Sequence, residues 1–162
     1  MGKFKSLVSD TLIFAVGNFT VKILYFILMP IYTASLSSEE FGLADLLNNT
    51  LQLVVPILTL SISDAVFRFM LEKNADKSSF LSNGFFVLLG SFVVVILGIT
   101  LISIVVQVDT YWYYFVLWYI FEALRILFAQ FTRADGKVWI FSLNGIIGAL
   151  VLLISTYFLV LI

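Results

Sequence analysis

The stretch TLIFAVGNFTVKILYFILMPIYTASL, Thr11 to Leu36, decides the fold. It is apolar almost throughout. At the helical rise it reaches about 39 Å, enough to cross a bilayer core of about 30 Å with some tilt. Lys22 stands close to its middle. A lysine at that depth costs roughly 2.5–3.5 kcal/mol on insertion scales, and such residues face a bundle interior or a wet cavity. A helix with this residue therefore needs neighbours. Asn18, Tyr25, Met29, Tyr32 and Thr33 are the neighbours of Lys22 at helical spacing and make one polar and aromatic stripe.

The remaining sequence supplies the neighbours. Of 162 residues, 62% are hydrophobic and only 12% charged. Soluble domains carry about 25% charged residues. The chain reads as an all-α integral membrane protein. A net charge of −1 implies no nucleic-acid partner. The absence of cysteine removes disulfides and thiolate chemistry, and the absence of histidine removes the commonest base and metal ligand. No catalytic set, cofactor or metal site is expected, and the chain does not read as an enzyme.

Five transmembrane helices are expected, in a single bundle over residues 1–162, at about 11–36, 42–67, 80–106, 111–132 and 138–162. A short interfacial helix over Met1 to Asp10 precedes them. The short loops between spans make consecutive helices antiparallel neighbours. Lys3 and Lys5 precede span one, Arg68, Lys73 and Lys77 follow span two, and Arg133 and Lys137 follow span four. The other loops carry Glu39, Glu40 and Asp109. The positive-inside rule places the N-terminus in the cytoplasm, with Tyr111 to Tyr114 anchoring the outer interface and Trp139 the inner. The start also matches a weak myristoylation pattern, and two Asn-x-Thr sequons fall within spans; neither reads as a modification site. The apolar run up to Ile162 reads as a chain that continues into further helices.

Three spans carry chemistry. Span two places Asp45, Asn48, Asn49, Gln52, Pro56, Thr59 and Ser63 on one helical face, and Pro56 is expected to kink it. Asp64 and Arg68 are spaced as an i,i+4 pair. Span four carries Glu122 and Arg125, either as a self-compensating i,i+3 pair or as partners of Lys22 in a cavity. Span three has no charge; Gly84, Ser91 and Gly98 make a small-residue stripe for close helix approach, with Val95 assigned to the opposite face. Gly145 and Gly148 read the same way in span five. The pattern suits a bundle around a hydrophilic cavity. Lys22, Arg68 and Arg125 make it positive, Asp64 and Glu122 offset this in part, and Asn18, Tyr25, Asn49 and Gln52 help line it. Such a pocket suits a phosphate-bearing solute with sugar rings to stack.

Three stretches also resemble a known family. They are Pro30-Ile31-Tyr32-Thr33 with Leu36 to Asp45, then Ser63-Asp64-Ala65-Val66-Phe67-Arg68-Phe69, and Phe128 to Lys137 with its Gln130 and Arg133. They are similar to the Wzx-type flippases of O-antigen and capsule repeat units, in the superfamily (MOP) that also holds MATE exporters and lipid II flippases. The resemblance implies the first five helices of a six-helix N-terminal bundle in a 12–14 span transporter. It implies a bacterial plasma membrane, an undecaprenyl-pyrophosphate-linked oligosaccharide as substrate, and no covalent chemistry. Membrane lipids, the missing C-terminal helices and polysaccharide-assembly proteins would be its partners. Lys22 best matches the cations that hold the pyrophosphate, followed by Arg68 and Arg125. A cation-coupled exporter and a small structural membrane subunit are the rival expectations.

Overall fold

The protein, seen in a computed structural model, is described over residues 2–72, 76–105 and 111–161. Lys73, Asp109 and Ile162 lie outside the described residues, as do the side chains of Lys3, Lys5 and Tyr111. Among the described residues six helices follow one another: α1 (Gly2–Ser35), α2 (Ser38–Leu58), α3 (Ile62–Met70), α4 (Lys77–Val105), α5 (Tyr111–Ala134) and α6 (Val138–Leu161). The chain is an all-α membrane protein. Among the described residues, four stretches are long and apolar enough to cross a bilayer: Thr11–Ser35, Ser38–Leu58, Lys77–Ile104 and Trp112–Ala134. In α6 the apolar stretch Trp139–Ile154 is shorter. The interfacial segment expected before span one is the beginning of α1, with no break between them.

Local chemistry sets the helix starts. Ser37 caps α2: its hydroxyl receives the Glu40 N–H at 3.3 Å, while the Glu40 carboxylate receives the Ser37 N–H at 2.9 Å. This is a reciprocal capping box. Asp76 caps α4 by accepting the N–H groups of Ser78 and Ser79 at 3.1 and 3.3 Å. At the end of α5, Gly136 adopts φ +79, a left-handed conformation that favours glycine.

The expected second span is not one helix. α2 continues through Pro56 and ends at Leu58, so the break falls beyond the proline. Ser61 N–H donates to the Pro56 carbonyl at 2.8 Å and Leu60 N–H to Ile57 at 3.2 Å, the bonding of a Schellman motif. Leu60 and Ser61 have φ 52 and 51. Left-handed backbone costs roughly 1–2 kcal/mol at each non-glycine residue. Proline tolerates helical φ, and its lost N–H and its ring both act on the turn before it, so the helix can run on past Pro56 to Leu58.

Two compact units emerge: Met1–Ala44 with Gly136–Ile162, and Asp45–Asp135. In the first, α1 lies along α6. A Cβ on Gly17 would stand 2.6 Å from Ser142 Cβ, and one on Gly145 3.2 Å from Val21. Both residue numbers rise together along this seam, so the two helices run parallel. Three membrane-length helices separate them in sequence, which brings α6 back to the direction of α1.

In the second unit α3 packs on α4 and α5. A Cβ on Gly84 would meet Val66 at 2.9 Å and Leu127 at 3.0 Å. Leu88, Ser91 and Val95 of α4 are buried with Phe115, Tyr119, Ala123 and Leu127 of α5. The Tyr119 hydroxyl donates to Ser91 Oγ at 3.0 Å, and Ser91 donates to the Leu88 carbonyl at 2.8 Å. The small-residue stripe is therefore a contact at Gly84 and Ser91. Among the described residues nothing would meet a Cβ at Gly98, and the same holds at Gly148. Val95, assigned to the opposite face, is buried instead: four residues turn a helix by only about 40° past a full circle, so Val95 shares the face of Ser91.

Candidate functional site

Each polar group expected at a site has a definite place on its helix. In the first unit Asn18, Lys22 and Tyr25 share one exposed stripe of α1. Among the described residues of its unit, Lys22 has no hydrogen-bond or ion-pair partner. Met29, a further turn along, is also exposed, and the Thr33 hydroxyl donates at 3.1 Å to the Met29 and Pro30 carbonyls. The stripe thus leaves one ammonium open on a helix otherwise covered by apolar side chains such as Phe19, Ile23 and Phe26.

In the second unit, Asp45, Asn48, Asn49 and Gln52 stand exposed along α2, while Leu51 and Val55 on the other side are buried. Asn49 donates its side-chain amide to Asp45 at 3.0 Å. Thr59 and Ser63, expected on the same polar face, are buried. Thr59 stands one helical turn past buried Val55, bonding its N–H and its hydroxyl to the Val55 carbonyl at 3.0 and 2.7 Å, and Ser63 lies beyond the break between α2 and α3. Hydrocarbon cannot hydrogen-bond, so an open amide-rich face on a membrane helix calls for water, protein or solute against it.

Asp64 and Arg68 do not form the expected pair. The Asp64 carboxylate instead receives the Gln130 side-chain amide of α5 at 2.7 Å. Gln130 Oε1 is buried without a partner among the described residues. Arg68 is exposed. Intrahelical spacing permits the i,i+4 pair but does not compel it; the Gln130 donor, brought beside α3 by helix packing, takes the carboxylate.

Glu122 and Arg125 form the i,i+3 pair. Arg125 Nε donates to Glu122 Oε2 at 2.8 Å and its second nitrogen to Oε1 at 2.5 Å. This two-pronged geometry occupies both carboxylate oxygens. Glu122 is therefore neutralised within its own helix. The arginine side chain remains 56% exposed, against 27% for the glutamate, so the cationic end is the accessible one.

A second set of contacts gathers at the end of the unit where α3 and α5 finish and α4 begins. Lys77 binds Asp135 at 2.6 Å, and Arg133 lies 4.7 Å over the Phe67 ring. Outside the spans, Asp76 is held below the usual carboxylate range, first by the Ser79 hydroxyl and then by the Ser79 backbone N–H. The Lys77–Asp135 pair, the Asp64–Gln130 bond and the Gly17–Ser142 contact escaped the sequence reading. The Ser37-x-x-Glu40 capping box was open to it, being a local motif.

Among the described residues no group of three acidic, histidine or cysteine side chains is placed to hold a metal ion. The seven residues expected to bind solute, Asn18, Lys22, Tyr25, Asn49, Gln52, Arg68 and Arg125, are all exposed. Comparison with family models, curated proteins and solved structures returns no match.

Proposed function

We propose that this chain belongs to a bacterial plasma-membrane flippase that moves a lipid-linked, pyrophosphate-bearing oligosaccharide. The observation that carries the reading is Lys22, an exposed ammonium in the middle of a membrane-length helix with no polar partner among the described residues of its unit. A pyrophosphate crossing a low-dielectric bundle needs a cation in place of lost water, and a lysine ammonium supplies a point charge. Asn18 and Tyr25 beside it offer a hydrogen bond and a ring for a sugar face. Asn49 and Gln52 line a second polar strip. Arg68 and Arg125 add positive charge, and Glu122, already satisfied by Arg125, does not compete for the solute. In this reading Asp64 serves ion coupling, and the N-terminus is cytoplasmic.

The test is flipping of a fluorescent undecaprenyl-pyrophosphate glycan in vesicles holding the whole transporter polypeptide. Lys22→Ala should slow it by about tenfold or more, the size of a lost charge-assisted bond, with insertion unchanged. Lys22→Arg should keep part of the rate. Recovery of full flipping by Lys22→Ala combined with Glu122→Ala would show that Lys22 serves only to balance a carboxylate, and would end the reading.

A further inference from the structure

Thr59, Leu60 and Ser61 join two helical pieces that are held very differently. α3 is fixed to α4 and α5 at several points. Asp64 is bonded to Gln130, Phe69 stacks on Phe80 at 5.8 Å, Phe67 lies under Arg133, and Val66 fills the space above Gly84. The Asp45–Leu58 part of α2 is held along one apolar side only. Leu51 and Val55 are buried there, whereas Asn48, Gln52, Leu53 and Ile57 are exposed. The joint rests on two consecutive non-glycine residues in left-handed backbone. Leu60 is 81% exposed, so no packing of its side chain enforces that conformation. α3 starts without a side-chain cap, and among the described residues no carbonyl receives the Ser63 N–H.

Turning Leu60 and Ser61 into right-handed backbone would exchange hydrogen bonds rather than lose them. In a continuous helix the Leu60 N–H passes from the Ile57 to the Pro56 carbonyl, and the Ser61 N–H passes from Pro56 to Ile57. The Ser63 N–H gains the Thr59 carbonyl, and the left-handed strain is relieved. Against this, Leu51 and Val55 would leave the cluster they share with Val66, Leu88 and Leu127. Strain and one unmade bond favour the straight form, and apolar burial favours the bent one.

We propose that Thr59–Ser61 is a hinge. On it the Asp45–Leu58 part of α2 swings between the bent form and a helix continuous with α3. The swing carries the Asn49–Gln52 strip relative to Asp64, which stays bonded to α5. Interrupted membrane helices are elements on which such rearrangements turn. The hinge stands on backbone geometry and is independent of which solute the protein carries.

The chain has no cysteine, so Leu46→Cys on α2 and Leu97→Cys on α4 give a clean pair of spin labels at positions 62% and 56% exposed. Pulsed EPR on the full-length chain in bilayers should give two distances. Leu60→Gly with Ser61→Gly removes the left-handed penalty at both residues and should enrich the bent population by about thirtyfold or more. Leu60→Ile with Ser61→Val raises that penalty and should shift the ratio the other way. A single distance in the parent and in both variants overturns the hinge. If the Ile/Val variant fails to insert, the glycine variant decides alone: an unmoved distribution or enrichment of the straight form overturns the hinge, and enrichment of the bent one of two parent distances supports it.

Discussion

Asp64 accepts a hydrogen bond from Gln130 at 2.7 Å, across 66 residues of sequence, and not from Arg68 one turn away on its own helix. The bond ties the first turn of α3 to the last two turns of α5. A double-mutant cycle between Asp64→Ala and Gln130→Ala should give a coupling of about 0.5–1.5 kcal/mol, and the Asp64–Arg68 cycle about zero. Unfolding of the reconstituted chain in denaturant measures both. Equal couplings would show that the carboxylate is shared.

The glycines divide by contact. Gly17→Leu and Gly84→Leu should each lower folding yield strongly, because a Cβ already meets Ser142 at 2.6 Å or Val66 at 2.9 Å. Each should cost about 1–3 kcal/mol or more through displaced helices. Gly98→Leu and Gly148→Leu should be tolerated, since none of the described residues lies within 4 Å of a Cβ there. Expression and thermal unfolding in detergent separate the two pairs. Destabilisation by Gly98→Leu equal to that by Gly84→Leu would return Gly98 to the contact.

Orientation is accessible to labelling, because any introduced cysteine is the only one. Ser38, at the start of α2, and Ser78, at the start of α4, are exposed. With basic residues gathered in the cytoplasm, Ser38→Cys should react with an impermeant reagent added outside, and Ser78→Cys only after permeabilisation. The opposite pattern would invert the topology.

The Asp76 cap gives a pH dependence with a defined sign. Its carboxyl is held below the usual carboxylate range by Ser79. The folded protein therefore favours the ionised form, and the added stability is present above the unfolded carboxylate range. It is lost as pH falls through the lowered folded value. Asp76→Ala should destabilise the start of α4 at neutral pH. The difference from the parent should vanish in acid, read by hydrogen exchange at the Ser78 and Ser79 amides. A difference that persists unchanged in acid would remove the carboxylate from the cap's energetics.

The all-α membrane class, the polar stripe around Lys22 on α1 and the Asp45–Gln52 part of the stripe on α2 were legible in the sequence. Hydropathy, helical spacing and capping are properties of neighbouring residues, so a span such as Thr11 to Leu36 and a cap such as Ser37–Glu40 can be read without knowing any partner. The tertiary structure alone decided three things. It chose Gln130 over Arg68 for Asp64, because that choice needs the depth and rotation of α5 against α3. It made Gly17 and Gly84 tight contacts and left Gly98 open, because a small residue matters only where another helix crosses it. It divided the second span at Leu60 and Ser61, two residues with no local reason to be left-handed. There the burial of Leu51 and Val55 on one side, and of Val66 and Met70 on the other, outweighs their intrinsic backbone preference.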